Sequence, residues 1–94
     1  MNIEAGKFYA NEHNDYGNNE TNVILVLPNK DIDITSLVPS ETMFLLNNEV
    51  QDIYKSNWRP EFIEREATKE EITLFQKNRK KVEKMNTYGQ SVFE

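Results

Sequence analysis

His13 is the only histidine in the chain's 94 residues, and it lies within Glu12-His13-Asn14-Asp15. One imidazole beside carboxylates could hold a divalent cation weakly. A hydrolytic metal centre needs more nitrogen ligands, so an exposed histidine is the preferred reading. Asp31 and Asp33 form Asp-x-Asp. On a strand both would share one face, where a carboxylate pair could take Mg²⁺ or a metal-bound phosphate. The same spacing suits a solvated strand face, which we prefer. Cysteine is absent, which excludes disulfides, thiolate metal sites and a cysteine nucleophile. The three glycines are scattered and cannot build a phosphate-cradling loop. Ser36, Ser40, Ser56 and Ser91 have no second histidine or lysine motif to activate them. These residues assemble no catalytic constellation, so no catalytic residue, metal or cofactor is expected.

Residues that could bind are more plentiful. Tyr54, Trp58 and Phe62 alternate with Lys55 and Arg59, the mixture that single-strand nucleic-acid binders use to stack bases. They are few, and the chain's acidity opposes that role. Trp58, the only tryptophan, is read first as a core or sheet-end residue and second as a binding anchor. Lys77, Arg79, Lys80, Lys81 and Lys84 give the 77–84 stretch a local charge of +4. That suits a solvated helix end complementing the helix dipole, or a contact to phosphate or to an acidic protein.

The formal charge of −5 is unevenly spread, with −7 on residues 1–53 and +2 on residues 54–94. An acidic body argues against general nucleic-acid binding and suits a basic partner surface. Asp31, Asp33, Glu41 and Glu49 are the expected acidic contacts, with Trp58 beside them. Lys77, Lys80, Lys81 and Lys84 are the alternative contact, for nucleic acid. The N-terminus has no basic-then-apolar leader pattern, and the longest apolar run, Val23–Leu27, is too short to span a bilayer. The expected location is the cytoplasm, with no membrane partner.

These residues need elements to hold them. Thr68 and Glu71 form a capping box, with acids in the following first turn and bases at the far end. Ile72, Phe75, Val82 and Met85 share a stripe interrupted by Arg79, and Leu74 falls off it. The pattern predicts a helix over 69–85. Glu61–Glu66 reads as a short strand feeding that helix, because Pro60 disfavours helix through Arg59. Upstream, Ile3–Asn11 is a first strand, and residues 11–22 form a polar loop rich in Asn, Asp and Gly. Thr21–Leu27 is a central strand covered on both faces, and Ile32–Thr35 alternates as a half-buried one. Residues 42–54 fit a hairpin turning at Asn47-Asn48, which is preferred. They also fit a helix carrying Met43, Leu46, Val50 and Ile53, which two adjacent mid-helix asparagines disfavour. Residues 86–94 are expected to be a flexible tail.

The run Arg65-Glu66-Ala67-Thr68-Lys69-Glu70-Glu71-Ile72 resembles the C-terminal part of short uncharacterised bacteriophage-encoded accessory proteins. The resemblance covers a strand-to-helix joint that carries no chemistry. It implies a phage or mobile-element origin, hence the cytoplasm of an infected bacterial host, and transfers no functional residue.

The expected fold is α+β in a single small domain: an antiparallel sheet of four or five short strands with one long C-terminal helix. The expected function is that of a non-enzymatic, phage-type accessory protein. It would bind and modulate or inhibit a host protein, such as a defence or transcription component, through an acidic surface. The alternative is a small nucleic-acid-binding module using the basic end of the helix. Homodimerisation through that helix is a further option. A small enzyme built on Asp31/Asp33 or His13 ranks last.

Overall fold

The computed structural model describes residues 2–28 and 37–79. Five strands form one sheet: β1 (Phe8–Asp15), β2 (Asn18–Val26), β3 (Val38–Leu46), β4 (Glu49–Trp58) and β5 (Arg65–Glu66), in spatial order β4-β3-β2-β1-β5. All pairings are antiparallel. Helix α1 occupies residues 69–79. The α+β reading holds, with the helix near the C-terminal end of the described chain.

Two tight hairpins set the register. At Tyr16-Gly17 and at Asn47-Asn48 both central residues have positive φ (49° and 82°; 49° and 69°). Left-handed backbone at both positions matches the twist of the flanking strands. The preferred hairpin reading of residues 42–54 is therefore correct. The polar loop expected over residues 11–22 is not: those residues are the ends of β1 and β2, paired from Asn11↔Asn22 to Asp15↔Asn18. Asparagine and acid content suggested a loop, but a largely solvated hairpin extension needs no apolar side chains, and it buries only Asn11 and Thr21. Its strands are specified by the Tyr-Gly turn and the ladder.

Further upstream, the first strand begins at Phe8 and not at Ile3, because Gly6 (φ 83°) turns the chain and donates its N–H to the Val26 carbonyl (2.8 Å). The strand expected over Glu61–Glu66 is also shorter. Pro60–Phe62 makes one 3₁₀ turn with Pro60 at its start, and only Arg65–Glu66 pairs with β1. Pro60 lacks an N–H for a ladder and fits the opening of a helical turn. The strand read over Ile32–Thr35 lies outside the described residues, as do helix residues 80–85 and the tail 86–94.

The sheet buries apolar residues on both faces. Val23, Leu25, Met43 and Leu45 pack beneath Phe75 of α1, joined by Phe8, Val50, Ile53 and Leu74. The Phe8 and Phe75 rings meet edge to face, with centroids 5.3 Å apart. Leu74, set aside in the sequence reading, belongs to this core. A helix resting on a sheet buries adjacent pairs such as 74/75, a wider arc than a single stripe. On the opposite face Tyr9, Ile24, Val26 and Ile63 form a smaller cluster with Ile3, Val38 and Trp58. The N-terminal segment closes it, since the Tyr9 hydroxyl donates to the Asn2 carbonyl and accepts from the Glu4 N–H.

Candidate functional site

Strand periodicity and the register of the ladder fix which residues share a face. The helix side receives the sheet's bases. Lys55, the one lysine or arginine in β1–β4, stands opposite Glu41 there. Arg65 from β5 reaches both Glu12 of β1 (2.7 Å) and Glu71 of α1, the latter through two bonds of 2.8 and 2.9 Å. Glu71 Oε1 also accepts the Thr68 N–H (2.8 Å), while the Thr68 hydroxyl accepts the Glu71 N–H (3.2 Å). The predicted capping box is therefore formed, and Arg65 ties it to the sheet. Hydrogen bonds from Arg65 hold the Glu71 carboxyl below its usual range, and those same bonds raise the Arg65 guanidinium further.

The side away from the helix differs. Reading across β1, β2, β3 and β4, one row is His13–Glu20–Leu46–Glu49. The next row is Asn11–Asn22–Phe44–Asp52, and the next is Tyr9–Ile24–Thr42–Tyr54. Trp58 closes over the third row, its indole N–H donating to the buried Thr42 hydroxyl (2.8 Å). The first two rows are open except at Asn11, which is buried. Leu46 and Phe44 are half-buried there, and Tyr54 and Phe62 are 41% and 54% exposed. Burial, with a smaller contribution from Asp52, raises the Tyr54 phenol above its ordinary value. No strand residue on this side is a lysine or arginine, whereas Asp15, Glu20, Glu49 and Asp52 all lie on it.

A groove of about 260 Å³ opens beside these rows, lined by Trp58 and Phe62, by Asn11, Glu12, His13 and Asn22, and by Glu64. An amide chain fixes one side of it. Asn22 Nδ2 donates to Asn11 Oδ1 (2.9 Å), and Asn11 Nδ2 donates to the Phe62 carbonyl (3.0 Å). The Asn11 amide is thus spent within the protein, and its hydrogen bonds set the position of Phe62.

The residues expected from sequence do not assemble into one site. Asp31 and Asp33 lie outside the described residues, as do Lys80, Lys81 and Lys84. Glu41 is on the helix side, and its 16%-exposed side chain pairs with Arg79 (Nε–Oε2 2.9 Å), so it cannot join the acidic surface proposed for it. Glu49 does stand on the open side. Trp58 is structural through its indole bond and also lines the groove. Lys77 is exposed on α1. His13 is exposed, with Nε2 4.0 Å from Asp15 Oδ2. Among the described residues no group of three His, Cys, Asp or Glu could hold a metal ion, and no helix is long and apolar enough to cross a membrane. Tyr54, Trp58 and Phe62 do share a region, but Lys55 is on the opposite face. The base-stacking arrangement is thereby split.

Sequence reading missed Glu20, Phe44, Leu46, Asp52, Asn22 and Glu64 as neighbours. The alternation of Thr42–Leu46 against Glu49–Tyr54 carried part of the signal. Comparison with family models, curated proteins and solved structures found no match to the chain.

Proposed function

We propose that this chain is a non-enzymatic accessory protein of the phage type, one that binds and modulates a protein of its host. The observation supporting a binding role is the open half of the sheet. Tyr54 and Phe62 are 41% and 54% exposed beside the half-buried Phe44, Leu46 and Trp58, on a surface built from the hydrogen-bonded strands β1–β4. Aromatic side chains on a fixed scaffold lose little conformational freedom on binding and supply large contact areas, which is why they dominate interface energetics. The phage-type resemblance of Arg65–Ile72 makes a bacterial host protein the expected partner, and inhibition or modulation the expected consequence. The acidic contact moves from the set read off the sequence to Glu20, Glu49 and Asp52.

A photo-crosslinking residue placed at Phe44 or Tyr54, with Gln76 on the outer side of α1 as control, tests this in native bacterial lysate treated with nuclease. The expected result is one protein crosslinked from positions 44 and 54, not from 76, and lost on Phe44→Asp. Crosslinking to nucleic acid alone in a parallel lysate left without nuclease, suppressed by salt added before irradiation, would overturn the proposal in favour of the basic helix end.

A further inference from the structure

The chemistry of the open side narrows its partner. Four carboxylates of β1, β2 and β4 share the strand surface with Phe44, Leu46 and Tyr54, and the one lysine and one arginine of the described strands, Lys55 and Arg65, stand on the helix side. In the first row Leu46 is flanked on both sides by acids, Glu20 and Glu49. In the second, Phe44 has Asp52 on one side and the Asn22 amide on the other. The adjoining groove combines two aromatic rings, Trp58 and Phe62, with the Asn22 amide and the Glu64 carboxylate. Ring faces and oxygen acceptors together suit a cationic side chain, which gains from the ring quadrupole and from the carboxylate.

Other occupants fit less well. Phosphate backbones and anionic lipid headgroups would meet the four strand carboxylates. A second copy would set the same acids against themselves. The β4 edge, another exposed feature among the described residues, is blunted by its own side chains. Asp52 accepts the Ile53 N–H (2.8 Å), Gln51 donates to the Glu49 carbonyl (3.2 Å), and a bulge interrupts the β3–β4 ladder between Phe44 and Leu45.

We propose that the Trp58–Phe62 groove and the Glu20–Leu46–Glu49 row receive a basic polypeptide segment. An arginine or lysine enters the groove, and neighbouring apolar residues seat on Phe44 and Leu46. This rests on the protein-binding reading above and adds the partner's chemistry to it.

The test titrates the full chain with three short capped peptides: alternating arginine and leucine, the same peptide with citrulline for arginine, and one with glutamate for arginine. Citrulline keeps the shape and loses the charge. Binding is read from Trp58 emission and from amide shifts in two-dimensional NMR. The arginine peptide should shift Asn22, Phe44, Leu46, Tyr54 and the Trp58 indole. The citrulline peptide should bind more weakly by about tenfold, and the glutamate peptide should not bind. The double variant E20K/E49K should weaken the arginine peptide by roughly tenfold or more. Both positions lie on the strand surface outside the apolar clusters, and an unchanged spectrum of the free variant verifies its fold. Glu64→Gln, which keeps the side chain's shape, should weaken binding less and in the same direction.

Equal binding of the arginine and citrulline peptides would overturn the inference. So would indifference to E20K/E49K, or shifts confined to α1 or to the outer edge of β4. A host protein that crosslinks from Phe44 while no basic peptide binds would defeat this inference and leave the protein-binding proposal standing. Peptide binding without any crosslinked protein would do the reverse.

Discussion

Replacing Arg65 with methionine removes the one side chain that joins β1, the cap of α1 and the short β5. The methionine keeps much of the apolar stem and deletes the fork. Four guanidinium bonds go, two to the Glu71 carboxylate, one to the Glu12 carboxylate and one to the Glu66 carbonyl. Glu71 is left 17% exposed without its cation, although Thr68 still supplies a donor. A hydrogen bond to a charged group contributes about 1.5–3 kcal/mol when sheltered. Arg65 is 35% exposed, so solvent screening lowers the net loss to about 1–2 kcal/mol. For a domain of this size that is a fall in melting temperature of roughly 5–15 °C.

The pH dependence carries the sign. Folding lowers the Glu71 pKa, so its contribution is present above the ordinary glutamate value of 4.5 and lost as pH falls through the lower folded value. Urea unfolding of wild type and Arg65→Met, followed by Trp58 fluorescence, should show the full gap at neutral pH and a shrinking gap in acid. Arg65→Lys should fall between them, because an ammonium cannot form the bidentate pair. A gap that stays constant from neutral pH into strong acid would refute the argument. So would an Arg65→Met protein as stable as wild type.

Three further outcomes follow from particular contacts. Thr42→Val keeps the shape of a fully buried residue but strands the Trp58 indole N–H (2.8 Å) and removes the shorter of the Ser56 hydroxyl's two hydroxyl contacts (2.6 Å), leaving the one to Ser40 (3.1 Å). It should cost about 1–3 kcal/mol by denaturant unfolding, with a changed Trp58 emission in the folded state. Asn48→Gly should stabilise slightly, by less than about 1 kcal/mol, since Asn48 holds φ 69° where glycine is the favoured second residue of the turn; a destabilised variant would contradict the assigned turn. Tyr54 should ionise above its ordinary value of 10 in an ultraviolet titration, and Asp52→Asn should bring it partway down. Its folded pKa is raised, so its contribution to stability is complete below the unfolded value and is lost as pH rises through the folded one.

The capped helix was legible from sequence because its signals are local. Thr68 and Glu71 satisfy each other's backbone groups within one turn, and the apolar residues repeat at helical spacing. The Asn47-Asn48 hairpin was legible for the same reason, since a two-residue turn with positive φ selects its residues by backbone sterics alone. The hairpin at Tyr16-Gly17 was hidden because its strands are polar, and composition describes what a residue can bury more directly than what its backbone pairs with. The distribution of charge between the two faces could not be read without the register. A one-residue slip sends every side chain to the other face. Only the assembled sheet put Glu41 beside Arg79, sent Lys55 and Arg65 to the helix side, and left Glu20, Glu49 and Asp52 around Leu46 and Phe44. Sequence alone determined an acidic chain and a capped helix, and favoured a tight hairpin at Asn47-Asn48 over a helix. Tertiary structure decided which acids are spent in internal pairs and which stand on the open face, because that depends on contacts between residues far apart in the chain.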